Sequence, residues 1–357
     1  MGVLFSLVAG SAWADEVVLK GTVGTHPVVM QFDASPDGAT GNYFYVKFKQ
    51  DIVLQGSAGK DKVDLSSEST GDHFVLSRGG DGYTGTFTTA KGVKLPVTLA
   101  RVAHGSVPEP QPDLAFRQPL SDYARLRLAD VKFVDGRKET VGKYTIQWYS
   151  EPLSKLEMFR VVDGYPEAVA KGINRVVARD FYAALDGYFS CGSGENSGSG
   201  AEIKVSSRVL TDRLAGYAVS SSWSCSGTAH PSMGVDGTAV DARTGKELGL
   251  DDLWWLGSGA RPAPMSDAWF KYRNEVFGPA VVALFKRLYP DHMKPAGDDG
   301  CDYSDAGPWS TTSWYLTDKG LFLSPDFEGA ARACADVDWS LVPYSELKKS
   351  NPALFGD

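Results

Sequence analysis

A chain of 357 residues with 43% hydrophobic content is long enough for two or three domains with filled cores. Its net charge of -8, with no Lys/Arg cluster along the sequence, argues against nucleic acid and anionic lipid as partners. No stretch approaches the ~20 consecutive apolar residues of a membrane span.

The chain opens MGVLFSLVAGSAWADEVVLK. Val3 to Ala9 form a short apolar run, and Ala12-Trp13-Ala14 fits the small-x-small pattern of signal-peptidase sites. Residues 1–14 are therefore expected to be a signal peptide, truncated because the basic n-region is missing. A periplasmic or secreted location follows from that reading.

Residues 15–102 read as a β-rich domain, an antiparallel meander or small barrel. Eight short runs, from VVLKGTV to VKLPVTLARV, recur about every ten residues between Gly, Asp, Ser or Lys turns. In GNYFYVKFK, alternation puts Tyr43, Tyr45 and Lys47 on one face and Phe44, Val46 and Phe48 on the other. One face is expected in the core and the aromatic pair on the other part-exposed. Residues 103–122, with HGSVPEPQPDL, read as a proline-rich linker.

Residues 123–357 read as an α+β domain with a mainly antiparallel sheet and packed helices. YARLRLADVKFV and KYTIQWYS are expected strands. PEAVAKGINRVVARDFYAALDGYFSC switches period: Val169, Ile173, Val177, Phe181 and Leu185 recur every four residues, the stripe of an amphipathic helix. EIKVSSRVL and GYAVSSSWSC form an expected hairpin, and GTAVDARTGKEL turns at Thr244-Gly245-Lys246. DAWFKYRNEVFGPAVVALFKRLY is helical, with Gly278-Pro279 predicting a kink or split. WSTTSWYLT, GLFLSPDF and ADVDWSLVPY are expected strands before a short helix at SELKKS.

Four cysteines, Cys191, Cys225, Cys301 and Cys334, contain no C-x-x-C. An even number in an exported chain reads as two disulfides, for which the sequence permits three pairings. The element layout favours Cys191–Cys225, because a paired hairpin sets Cys225 opposite the loop that contains Cys191, and Cys301–Cys334, each just before a strand.

YAVSSSWSCSGTAHPSMGVDGTAVDARTGKELGLDDLW, with the later LTDKGLFLSPDF and VPYSELKK, carries a resemblance. It is similar to the extracytoplasmic C-terminal domain of lysozyme-sensing anti-sigma factors, which also accompanies some peptidoglycan deacetylases. The resemblance spans residues ~125–347 and implies a sensing or binding role rather than catalysis, with a lysozyme-type protein or a cell-wall glycan as partner. A membrane-signalling role and deacetylase chemistry do not carry over, because the corresponding segments and signatures are missing from this sequence. Residues 18–100 resemble a β-rich module of exported bacterial proteins, which implies a compartment and no activity.

His230 stands on a turn with Ser226, Gly227 and Thr228, followed by Pro231. A general base would need an orienting carboxylate within reach, and Asp236 and Asp241 are near in sequence. No G-x-S-x-G or comparable spacing surrounds it. His230 and Thr228 are therefore read as ligand-contacting turn residues, and an envelope hydrolase using His230 with an aspartate is the rival reading. A structural envelope protein without a ligand is the third. GDDGCDYSD, residues 297–305, is acidic but lacks calcium-loop spacing, so neither a metal nor another cofactor is expected. Trp254-Trp255 completes the candidate ligand surface, because neighbouring side chains on a strand or turn do not face the same way.

Overall fold

The computed structural model describes residues 17–35, 38–191, 200–225, 231–295, 300–327 and 329–356. The expected leader lies outside these residues. The chain forms an N-terminal eight-stranded antiparallel barrel followed by antiparallel sheets with helices, a mixed α+β fold. Two compact units divide it: Met1–Lys132 with Tyr182–Ala201 and Trp223–Pro231, and Phe133–Phe181 with Glu202–Ser222 and Ser232–Asp357.

In the first unit, β1 (Val17–Val23), β2 (His26–Ser35), β3 (Gly38–Tyr45), β4 (Ile52–Ala58), β5 (Lys62–Ser66), β6 (His73–Gly79), β7 (Gly82–Thr88) and β8 (Lys94–Arg101) pair in chain order. β8 returns to β1 with Gly21 opposite Leu99, so no strand edge is left open. At that seam a Cβ on residue 21 would lie 1.9 Å from the Thr98 carbonyl oxygen, so only glycine lets the strands close. Alternation sends Leu19, Val28, Met30, Tyr43, Leu54, Phe74 and Phe87 inward, filling a barrel of this size with side chains.

Part of the outer face of β1–β3 is covered. Val18, Val29 and Phe44 pack with Tyr123 of α1 (Asp122–Leu128). YARLRL is therefore a helix and not the expected strand. The Ser121 hydroxyl accepts from the Ala124 N–H at 3.1 Å, and Asp122 occupies the first turn where the helix dipole favours a carboxylate. Phe44 is consequently buried like Tyr43, contrary to the expected part-exposed face, and β3 ends at Tyr45, leaving Phe48 57% exposed. The proline-rich segment is anchored too: Glu109 pairs with Arg125 at 2.6 Å, and the Gly105 N–H donates to Asp122 at 2.7 Å.

Arg127 of α1 is fully buried. Its guanidinium donates to Asp51 Oδ1 at 2.6 Å and to Asp186 Oδ1 at 2.9 Å, and the Tyr123 hydroxyl donates to Asp51 at 2.7 Å. Lys49 donates to the Arg127 carbonyl at 2.7 Å and pairs with Asp130. Two carboxylates face one guanidinium, and burial pushes Asp51 up to about 6 and raises Asp186 as well.

The second unit begins with β9 (Val134–Val141), β10 (Tyr144–Ser150) and β11 (Glu157–Asp163), ordered β11-β10-β9. Helix α2 (Glu167–Ser190) follows, and the predicted stripe is buried along its length. Within the second unit, its Phe181 packs on Phe133 and Tyr149, and the Asn174 amide pairs with both backbone groups of Val161 at 2.7 and 2.8 Å. From Tyr182 onward the helix belongs to the first unit.

β12 (Gly200–Leu210), β13 (Leu214–Ser224), β14 (Ser232–Asp241) and β15 (Lys246–Leu248) form a four-stranded sheet in that order. Gly245 takes φ +71° at the expected turn. Against this sheet α2 buries charge: Asp180 accepts from Tyr217 at 2.6 Å and from Thr238 at 2.9 Å, while Arg179 pairs with Glu247. After α3 (Leu250–Leu253) come α4 (Asp267–Tyr272), a π-helical turn (Arg273–Phe277) and α5 (Gly278–Leu288). The expected interruption of the α-helix falls just before Gly278-Pro279, as that π turn, and Pro279 stands in the first turn of α5. Gly278 keeps helical φ/ψ, its N–H reaches the Arg273 carbonyl, and the irregularity is taken up by the π turn.

α6 (Gly307–Ser310), β16 (Ser313–Leu316), β17 (Gly320–Ser324), a 3-10 turn (Gly329–Ala335), β18 (Leu341–Pro343), α7 (Tyr344–Ser350) and α8 (Pro352–Phe355) complete the unit. β16, β17 and β18 form the last sheet, and only the end of ADVDWSLVPY is strand. A Cβ at Gly237 of β14 would lie 2.1 Å from the Trp314 carbonyl oxygen, so glycine permits the close approach of β14 to β16. Trp309 is fully buried against Phe285, Tyr303 and Trp339. Both disulfides are present, Cys191–Cys225 and Cys301–Cys334, closing separations of 34 and 33 residues.

Two predictions follow from this packing. The folded Asp51 carboxyl, at about 6, lies above its unfolded value of 3.8, so its contribution is complete below pH ~4 and lost as pH rises through 6. Relative to Asp51→Asn, the wild type should lose up to ~3 kcal/mol between pH 4 and pH 7 in urea unfolding followed at each pH. A pH-independent difference would refute the assignment. Replacing Cys301 and Cys334 by Ser should cost about 3–4 kcal/mol in the same measurement, the closure entropy of a 33-residue separation.

Candidate functional site

His230 and Thr228 lie outside the described residues. The structure separates the two tryptophans. Trp254 follows the short α3 with non-helical backbone, is 4% exposed, and meets Phe277 edge-on at 5.6 Å between ring centres. Trp255 turns the other way, lies on Tyr272 at 4.3 Å and remains half-buried at the rim of a surface pocket of about 470 Å³. That volume lies within the usual range for small-molecule sites.

The pocket is built by α3, the loop after it and the end of α7. Asp252, Trp255, Gly259, Ala260, Arg261, Ser350 and Asn351 line it. Asp252 closes α3 by accepting from the Gly249 N–H at 2.9 Å, and its other oxygen pairs with Arg261 at 2.7 Å. Arg261 also donates to the Asp251 carbonyl at 2.9 Å, which folds the loop back over α3. Gly257 has no side chain where a Cβ would come within 2.4 Å of the Trp255 ring, so the loop lies flat against the indole. Asn351 fixes the opposite wall. Its amide donates to the Asp252 carbonyl at 2.9 Å while its oxygen caps α8.

Beneath the pocket wall, Asp251 joins α3 to α4. It accepts from the Trp269 indole at 2.8 Å and lies 3.3 Å from the Arg273 guanidinium. Arg273 is 5% exposed, packs over Phe277 and Trp269, and its Nε and Nη1 have no hydrogen-bond partner among the described residues. Burial holds its guanidinium below the usual arginine range, against the pull of Asp251. Trp255 itself lines the pocket. The wall thus offers an indole, a carboxylate, a guanidinium and a carboxamide within one cavity.

Asp252, Arg261 and Asn351 were not singled out from the sequence, although LDDLW and VPYSELKK, which adjoin them, carried the resemblance. Arg261 sits in a Gly/Pro-rich loop and has no periodic or motif signal. In the acidic 297–305 stretch, residues 296–299 are outside the described set. Asp302 accepts from Ser304 and Asp305 from the Gly307 N–H, both as local turns. Among the described residues no three His, Cys, Asp or Glu side chains are grouped to hold a metal. No protein-family model, curated protein or solved structure matches this chain. No helix among the described residues is long and apolar enough to cross a membrane.

The two tryptophans should respond differently to truncation. Trp254→Ala should destabilise by about 3–5 kcal/mol, as for a large aromatic removed from a core. Trp255→Ala should cost less, because part of its surface is already in water and only the remainder is lost from the packing. Equal losses in chemical denaturation would contradict the division between a core ring and a rim ring.

Proposed function

We propose that the chain is an exported cell-envelope recognition protein, periplasmic or secreted, that binds a peptidoglycan-type glycan at the Trp255 pocket. The observation that carries this reading is the composition of that wall. An aromatic edge beside a carboxylate, an amide and a guanidinium matches the alternation of C–H faces and hydroxyl, amide and carboxylate groups on a cell-wall sugar.

Two further observations support it. The disulfides suit an oxidising, extracytoplasmic environment. The segments similar to the lysozyme-sensing domain, LDDLW and the end of VPYSELKK, adjoin or supply opposite walls of the pocket. The pocket side chains are held by their neighbours before any ligand arrives, through Asp252–Arg261 and Asn351–Asp252, so little ordering entropy opposes binding.

Calorimetric titration of the purified chain with soluble muropeptides, alongside a lysozyme, tests the reading. Muropeptide binding in the ~1 mM to ~1 µM range, removed by Trp255→Ala and weakened at least tenfold by Asp252→Asn, is expected. Binding of the lysozyme alone would replace the glycan by a protein partner. No heat with either ligand would refute recognition at this pocket.

A further inference from the structure

A second groove of about 310 Å³ lies elsewhere in the second unit, lined by Arg137, Trp148, Lys155, Glu157, Ile203, Lys204, Val205 and Arg208. Two of its features bear on what it could hold. The first is backbone. Side chains alternate along a strand, so a cavity that touches Ile203, Lys204 and Val205 in succession reaches the strand's edge and not one face. β12 is the terminal strand of its sheet. As a terminal strand, β12 turns the N–H and C=O of every second residue away from β13, toward its open edge.

The second feature is charge. In a chain with a net charge of -8, this groove is lined by four cations and one carboxylate. Three of the cations are paired: Arg208 with Glu139 at 2.7 Å, Lys204 with Glu202 at 3.1 Å, and Arg137 with Glu157 at 3.4 Å. The Lys204 and Arg137 pairs are solvent-exposed on both sides, so each holds its cation weakly and exchanges readily for a ligand carboxylate. Lys155 has no ion pair among the described residues and stands exposed on a backbone with φ +60°, an unfavourable conformation for a lysine. Arg137 and Arg208 both pack over Trp148, at 4.4 and 5.0 Å from its rings, and the indole N–H donates to Glu139 at 2.8 Å. The tryptophan thus fixes the guanidinium positions and is itself almost wholly covered.

From these we infer that the groove binds an acidic peptide segment in extended conformation, which adds to the edge of β12 while its carboxylates meet Lys155, Arg137 and Lys204. A strand edge supplies donors and acceptors at peptide spacing, and the cations select the side chains. An acidic glycan would use the cations and leave the strand edge unpaired. The site is independent of the Trp255 pocket.

Fluorescence anisotropy with a labelled eight-residue peptide of alternating Thr and Glu tests this at ~50 mM salt. Micromolar binding is expected, with no binding of the Thr-Lys counterpart. Lys155→Glu combined with Arg137→Glu, both at exposed positions, should weaken it at least tenfold, and Trp255→Ala should leave it unchanged. The same Thr-Glu peptide with alternate amides methylated keeps its charge and loses strand pairing, and it should bind at least tenfold more weakly. Absence of Thr-Glu binding, equal binding of the methylated peptide, or equal or tighter binding of an oligogalacturonate would each overturn the proposal.

Discussion

A carboxylate removed from water must be met by donors, and each unit of this chain is organised around such a meeting. In the first, Asp51 follows β3 and receives Arg127 and Tyr123, both from α1. In the second, Asp180 on α2 receives Tyr217 from β13 and Thr238 from β14, with Arg179 beside it pairing to β15. Apolar burial is non-directional and would tolerate several seatings of a helix on a sheet. A buried charge tolerates only the seating that brings its donors within reach, because removing one partner leaves an uncompensated ion. The hydrophobic stripe of α2 therefore supplies the driving force, and the acids beside the stripe select its register.

That distinction explains which elements the sequence discloses. The eight barrel strands, the stripe of α2, the Thr244–Lys246 turn and the disulfide partners are all written in local periodicity and turn residues. Helix α1 is not. YARLRL alternates well enough for a strand, and its helical state rests on the Ser121 cap and on Arg127 being drawn to Asp51 and Asp186, 76 and 59 residues away. The same long-range event buries Phe44, which alternation alone leaves on an outer face. Gly278-Pro279 shows the reverse case. A strong local breaker was legible, and the α-helix is interrupted just before it, by a π turn and not by a loop.

The sites follow the same division. The divergence of Trp254 and Trp255 was legible because adjacent residues on a non-helical backbone diverge, but Trp254 lies in the core and not on the expected ligand surface. Arg261 and Asn351 were not, since each matters only by folding back onto Asp252 from a loop and a helix end distant in sequence. The cationic groove was hidden for a related reason. Arg137, Lys155, Lys204 and Arg208 are scattered over 72 positions of the sequence and gather only because two strands and a turn converge. The absence of a basic run along the chain therefore says nothing about basic surfaces on the fold.

This gathering also bears on how an acidic chain could hold an acidic ligand. Net charge acts over distance and is screened within about 8 Å at physiological salt, whereas cations lining a groove act at contact. Three carboxylates, Glu139, Glu157 and Glu202, are at contact distance too, each paired with a groove cation, and Lys155 is the cation left over among the described residues. A ligand segment in the groove would therefore feel Lys155 and its neighbours more strongly than the remote charge. Lowering the salt strengthens both the local attraction and the overall repulsion, so affinity should depend less steeply on ionic strength here than on a uniformly basic protein. An acidic surface of this kind repels polyanions that approach without fitting, and it reserves binding for segments that reach the strand edge.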